Sequence, residues 1–142
     1  MKNRVLIILS VIVLLVSISL LFIGWDYIMP KNFEDFLGKN EINITKVFMR
    51  NGSNGSAVST DNTVKIKKLI NSINNRNYRK SFDQGLRTGY NYFYTFYVDD
   101  KDVLTITGTG NYVNISGVYY DVDKAISGDE ITEWFKELPR VE

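Results

Sequence analysis

The sequence predicts an α+β protein: an N-terminal transmembrane helix, then a two-layer domain in which an antiparallel meander sheet of 4–5 strands carries two helices on one face. Three observations predict it. From Tyr90 to Val122, runs of β-branched and aromatic residues alternate with short turn clusters, the pattern of successive antiparallel strands. Segments on either side repeat apolar residues at helical spacing: Ile66, Leu69, Ile70 and Ile73 before the meander, and Ile131, Trp134, Phe135 and Leu138 after it. The stretch from Val5 to Ile23 carries no charge at all.

That first stretch is about 28 Å long as a helix, close to the hydrocarbon thickness of a bilayer. Its only polar members are Ser10, Ser17 and Ser19, and Trp25 and Tyr27 follow where an aromatic belt would sit. Lys2 and Arg4 lie on the short amino-terminal side, which places that end in the cytoplasm and the rest of a single-pass cell-membrane protein outside. The alternative is a secretory signal peptide cleaved near Ser17-Ile-Ser19, giving a secreted product. Leu20-Leu-Phe-Ile23 is apolar again directly beyond, which favours an uncleaved anchor. The organisation is therefore residues 1–29 as cytoplasmic tip and anchor (or signal peptide), 30–41 as a juxtamembrane segment, and 42–142 as an extracytoplasmic α+β domain.

Pro30 stops the first helix. Asn32 to Gly38 forms one or two helical turns, with Asn32 as cap and Phe33, Phe36 and Leu37 on one side, an aromatic edge that either lies on the bilayer surface or, as is commoner, docks on the domain. Ile42–Arg50 alternates imperfectly and reads as a strand. A turn cluster over Asn51–Ser56 and a short returning strand at Ala57–Ser59 follow. The first amphipathic helix runs from Asp61 to Asn74, capped by Thr60 or Asp61, with Lys65, Lys67 and Lys68 off its apolar stripe. Arg76–Gly89 is a long polar connection. The last helix covers Asp129–Leu138, opened by a capping-box pattern at Ser127 and Glu130 and closed by Pro139.

With the first hairpin turn centred on Asp100-Lys101 and the second on Gly110-Asn111, the two registers place Phe93, Tyr97, Leu104, Ile106, Val113 and Ile115 on one face, against the helices. The other face then presents Tyr92, Tyr94, Phe96, Thr105, Thr107, Tyr112 and Asn114. Rigid amphipathic aromatics among hydroxyls and amides suit recognition of a protein or cell-wall ligand.

Cysteine and histidine are both absent, so no disulfide, thiol nucleophile, imidazole base or nitrogen–sulfur zinc site can be assembled. The net charge of +1 gives no electrostatic case for nucleic acid, and no nucleic-acid partner, cofactor, metal or catalytic residue is expected. Gly108-Thr-Gly-Asn111 joins two strands and reads as a hairpin turn rather than a phosphate cradle. Asp121–Glu130 has acids near calcium-loop spacing, but Ile126 stands where that loop needs glycine and Thr132 where it needs glutamate. A hydrolase built on Asp99, Asp102, Asp121 or Asp123 requires those carboxylates to converge. Charge is segregated: every ionised residue between Asn62 and Arg87 except Asp83 is basic, whereas acids dominate from Asp99 to Glu142. Either the basic part meets an anionic polymer or lipid, or the two parts attract one another within the domain.

The order of anchor, strand, Ile66 helix, tyrosine-rich meander and short Trp134-Phe135 helix resembles small membrane-anchored or secreted extracytoplasmic domains of unknown function from low-GC Gram-positive bacteria. The resemblance spans roughly Ile42 to Leu138 in architecture and composition, and it brings no assigned active-site residues. It implies a cell-envelope location. The expected function is a non-enzymatic binding module acting through the seven-residue face named above. The alternative is an accessory subunit or inhibitor of a membrane complex acting through the Val5–Ile23 helix.

Overall fold

The structure, a computed structural model, describes residues 2–38, 43–85, 87, 92–108 and 110–141. Ile42 and Tyr90, the expected first residues of the opening strand and of the meander, lie outside the described residues. Helix α1 spans Lys2–Ile28. Its Arg4–Ile28 part is long and apolar enough to cross a membrane. Side chains from Val5 to Phe22 are exposed around the helix instead of being packed on the domain, unlike those of a core helix. The hydroxyls of Ser10, Ser17 and Ser19 donate to the carbonyls of Ile7, Val13 and Leu15 at 2.8, 2.9 and 2.9 Å, within the helix itself.

After Pro30 the chain turns back onto the domain. Lys31 exchanges backbone hydrogen bonds with Tyr78 at 2.8 and 2.7 Å. Helix α2 (Phe33–Leu37) is opened by a reciprocal capping box, Asp35 N–H donating to Asn32 Oδ1 at 2.9 Å and Asn32 N–H to Asp35 Oδ2 at 2.8 Å. As expected, its aromatic edge docks on the domain: Phe33 and Leu37 are buried, and Phe36 meets Tyr78 and Tyr120 edge-on.

Seven strands form one antiparallel sheet: β1 (Lys46–Asn51), β2 (Ala57–Thr60), β3 (Tyr78–Lys80), β4 (Tyr92–Val98), β5 (Lys101–Thr107), β6 (Gly110–Ile115) and β7 (Val118–Ile126), in the order β2-β1-β4-β5-β6-β7-β3. The sheet is wider than the expected 4–5 strands for two reasons. Ala57–Thr60 joins it fully, and Tyr78–Lys80 adds a strand inside the polar connection, where a single buried side chain, Tyr78, left no periodicity to read. Both outer strands have partners. Lys31 lies along β3. On β2, Ser59 N–H donates to Pro139 O and Val141 N–H donates to Ala57 O, both at 3.0 Å. The exposed ladder of an edge strand, a template for unwanted pairing, is thereby blunted.

Three helices rather than two cover one face. Besides α2 they are α3 (Thr63–Asn74) and α4 (Gly128–Glu137). Ile66, Leu69, Ile70 and Ile73 of α3, with Ile131 and Trp134 of α4, pack on Val47, Met49, Phe96, Ile106 and Val113 of the sheet. Each such side chain contributes roughly 1.5–3 kcal/mol when fully buried. Asn62 caps α3, accepting from the N–H groups of Val64 and Lys65 at 3.0 and 3.1 Å, one residue later than expected. Ser127 caps α4, accepting from Glu130 N–H at 3.1 Å. The Glu130 carboxylate does not return to the cap. It pairs with Arg76 at 2.5 Å and accepts from the Ser72 hydroxyl. With Lys68 on Glu137 at 2.8 Å, this brings the basic and acidic parts of the chain into contact across the α3–α4 interface. Of the two expected uses of charge segregation, these pairs show the internal one.

Candidate interaction surface

The face opposite the helices is shaped by one turn. Val98 pairs with Lys101, so the β4–β5 hairpin turns on Asp99-Asp100, whose φ angles of 48° and 64° are left-handed. Aspartate tolerates that conformation better than most residues, and two consecutive left-handed residues give the twist a two-residue hairpin needs. A bulge follows: Tyr97 pairs with Asp102 but Phe96 with Leu104. Relative to the expected register, β4 is shifted by one residue against β5, which exchanges its two faces.

Three of the seven expected surface residues are therefore misplaced. Tyr94 and Phe96, 1% and 0% exposed, lie in the core opposite Ile106 and Leu104. Tyr94 meets Trp134 edge-on and Phe96 packs on Phe33. Tyr92 points to the same side, where its ring meets Phe135 at the rim of an open groove. Phe93 and Tyr97, expected in the core, are on the outer face, as is Thr95. The other four residues are on the expected side: Thr105, Thr107, Tyr112 and Asn114 share the outer face. The β5–β6 register that puts them there, Ile106 with Ile115 and Thr107 with Asn114, is the one read from the sequence.

The outer face has two unlike halves. Over β6 and β7 it is roofed by residues 81–85 and 87. Arg87 stacks its guanidinium 3.8 Å from the centre of the Tyr112 ring and pairs with Asp83 at 2.6 Å. The Tyr112 hydroxyl donates to Asp83 O at 2.5 Å, and Tyr112 lies flat against Tyr119. Asp83 is held below the usual carboxylate range by the Gly85 N–H and then by Arg87, whose own pKa is raised in return. Tyr112 is thus half-covered.

Over β1, β4 and β5 no element covers the face among the described residues. Cross-strand rows run Phe48–Thr95–Thr105 and Arg50–Phe93–Thr107, with Asn114 continuing the second. Lys46 lies 5.5 Å over the Tyr97 ring at the end of the surface. Phe48, Arg50, Gly52 and Phe93 line a shallow depression of about 440 Å³. Phe48 and Arg50 were not singled out from the sequence. Counting outward from Val98–Lys101 instead of Val98–Val103 moves the pairing by two residues and leaves the facing as expected; the extra residue at the bulge, Val103, is what inverts β4, and no local sequence signal marks it.

A larger groove of about 670 Å³ lies elsewhere, between the β1–β2 hairpin and α4. Asn51, Asn54, Tyr92, Phe135 and Arg140 are among the residues lining it. It has volume, but Asn51 and Asn54 use their side-chain oxygens on Ser53 and Ser56 to shape the hairpin. The sheet face is flatter and richer in aromatic rings. The carboxylates proposed for hydrolysis do not meet. Asp99 and Asp102 sit at the β4–β5 hairpin, whereas Asp121 pairs with Tyr112 near the opposite end of the meander, and Asp123 accepts from the backbone and side chain of Asn77. No known protein family matches the chain, and neither a curated protein nor a solved structure matches it significantly.

Proposed function

We propose that this chain is a single-pass membrane protein whose extracytoplasmic domain is a non-enzymatic binding module, with the uncovered face of β1, β4 and β5 as its contact surface. One observation carries the reading. All three domain helices pack on one side of the sheet, and Phe48, Phe93 and Tyr97 stand on the other among Thr95, Thr105 and Thr107. Aromatic rings on a rigid sheet supply contact area at little entropic cost, and hydroxyls between them supply adaptable hydrogen bonds. With β2 and β3 already paired along their outer sides, a ligand meets side chains and not a free strand edge. The ligand class is a protein surface or a cell-wall polymer of a Gram-positive envelope.

The orientation follows from Lys2 and Arg4 ahead of the apolar stretch. Comparing membrane and medium fractions distinguishes the anchor from a cleaved signal, since a soluble product beginning near Leu20 ends the anchored reading. To test the surface, a photo-crosslinking residue is placed at Phe93 or Tyr97 of the full chain in cells, with Lys67 on the exposed side of α3 as control. A discrete adduct is expected from Phe93 and Tyr97, lost when Thr95→Arg is added, with none from Lys67. Equal labelling at all three positions refutes the assignment. An accessory role acting through α1 is the second reading, favoured by the exposed apolar side chains around that helix. Exchanging α1 for an unrelated anchor abolishes function only in that case.

A further inference from the structure

Phe82 is 85% exposed, which for a phenylalanine in an ordered loop calls for a reason. The loop holds it there. On one side Ser81 N–H donates to Tyr119 O at 2.9 Å. On the other, the Gln84 side chain donates to the carbonyls of Ser81 and Tyr119 at 2.7 and 3.0 Å and accepts from Tyr119 N–H at 3.0 Å. The Phe82 ring lies flat on that of Tyr27, 5.0 Å between centroids and 10° between planes. Tyr27 belongs to the last turn of α1, and Lys80 Nζ stands 4.6 Å over its ring. Beside it, Asp26 gathers the amines of Lys31 and Lys80 at 2.9 and 3.8 Å.

Depth along α1 follows from helix geometry. Tyr27 is four residues beyond Ile23, the end of the charge-free stretch, hence about 6 Å further along the axis. That is the headgroup layer, where aromatic rings and lysine amines are favoured. Stacking fixes Phe82 at the same depth. Trp25, also exposed, completes a ring of aromatics just above the apolar stretch.

We infer that the loop around Phe82 is a second membrane contact, seated in the lipid headgroup layer beside α1, so that the domain is docked on the bilayer in one orientation and does not swing from its anchor. The inference rests on the reading that α1 spans the membrane. The partner is the lipid surface itself: Phe82 and Trp25 enter the interface, and Lys31 and Lys80 face the phosphates.

Because the chain has no cysteine, single-cysteine variants label cleanly. Full-length Leu14→Cys, Phe82→Cys and Thr107→Cys proteins, each carrying an environment-sensitive fluorophore, are reconstituted in phosphatidylcholine–phosphatidylglycerol vesicles. Quenching by nitroxides at the bilayer centre, by nitroxides near the headgroup and by aqueous iodide is then compared. The Leu14 position is expected to answer to the deep nitroxide, the Phe82 position to the shallow one with several-fold protection from iodide, and the Thr107 position to iodide alone. A second measurement keeps the ring: the native chain is photolysed with a lipid carrying a diazirine near the glycerol, and adducts are expected on Phe82 as well as on α1. If Leu14 is lipid-embedded but the Phe82 position behaves like Thr107 and Phe82 takes no adduct, the docking inference is overturned and the anchor stands. If Leu14 itself answers to iodide, the anchor reading falls and the docking falls with it.

Discussion

Tyr94 stands opposite Ile106 across the β4–β5 ladder, its ring edge-on to Trp134 and its hydroxyl without a hydrogen-bond partner among the described residues. A phenol in that position contributes as a phenyl ring and loses as an alcohol. Burial pushes its pKa far above the ordinary phenol range. Tyr78, equally buried, differs in that its hydroxyl donates to Ile73 O at 3.0 Å.

The Tyr94 hydroxyl is therefore expected to be dispensable and its ring essential. Tyr94→Phe should stabilise the domain by up to about 1 kcal/mol, since an unpaired buried hydroxyl carries a desolvation cost. Tyr94→Ser should cost about 3–5 kcal/mol, and Phe93→Ser on the open face under about 1 kcal/mol. Urea unfolding in detergent micelles, followed by near-UV circular dichroism, measures all three. A larger loss for Phe93→Ser than for Tyr94→Ser would mean the faces are exchanged.

Arg76 is only 8% exposed at the end of α3, and its guanidinium donates to Glu130, to Lys124 O at 3.0 Å and to Ser72 O. Glu130→Gln removes the carboxylate and leaves the cation buried, with an expected loss of roughly 2–4 kcal/mol. Replacing both partners by Arg76→Met and Glu130→Leu should recover most of that loss. The exposed Lys68–Glu137 pair is the contrast, and Lys68→Ala should cost no more than about 1 kcal/mol. A double-mutant cycle on unfolding free energies separates the two.

The hairpin turn carries removable strain. Asp100 has a left-handed φ of 64°, which glycine adopts without penalty. Asp100→Gly should stabilise by roughly 0.5–1 kcal/mol, and Asp100→Val should destabilise by at least as much. Midpoints of urea unfolding report both, and a destabilising glycine would contradict the two-residue turn.

The loop over Tyr112 should respond to acid. The folded pKa of Asp83 is depressed by the Gly85 N–H and by Arg87, so its contribution is complete above the unfolded value of about 4 and is lost as pH falls through the lower folded value. Amide exchange of residues 81–85 and 87 is expected to quicken across that acid window, while exchange in β5 and β6 stays slow. Asp83→Asn should bring the faster exchange to neutral pH. An Asn variant with unchanged protection would show that the Gln84 bonds hold the loop unaided.

Much of this architecture was legible in the chain. The uncharged stretch over Val5–Ile23 states a helix by its length and lack of charge, and the stripes Ile66–Leu69–Ile70–Ile73 and Ile131–Trp134–Phe135–Leu138 each state a helix and its apolar side by periodicity. The β5–β6 register was equally plain, because only one pairing aligns Ile106 with Ile115. Strand β3 was not, having three residues and one buried side chain. Neither was the partner of Glu130, which the local pattern assigned to its own helix cap and tertiary contact gave to Arg76.

By itself, then, the sequence determined the elements other than β3, the apolar sides of the two amphipathic helices and the presence of a stretch fit to span a bilayer, all properties of residues near one another in the chain. The facing of β4 belonged to the tertiary structure. Its residues Tyr92-Phe-Tyr-Thr-Phe-Tyr-Val98 put aromatic rings on both sides, so burial of either set looks alike from the strand alone. The side-chain period of two means that one extra residue between paired strands, here Val103 at the bulge, inverts the strand. Turning on Asp99-Asp100 with a bulge beyond it seats Tyr94 under Trp134 and Phe96 under Phe33, and only those long-range contacts distinguish the two arrangements.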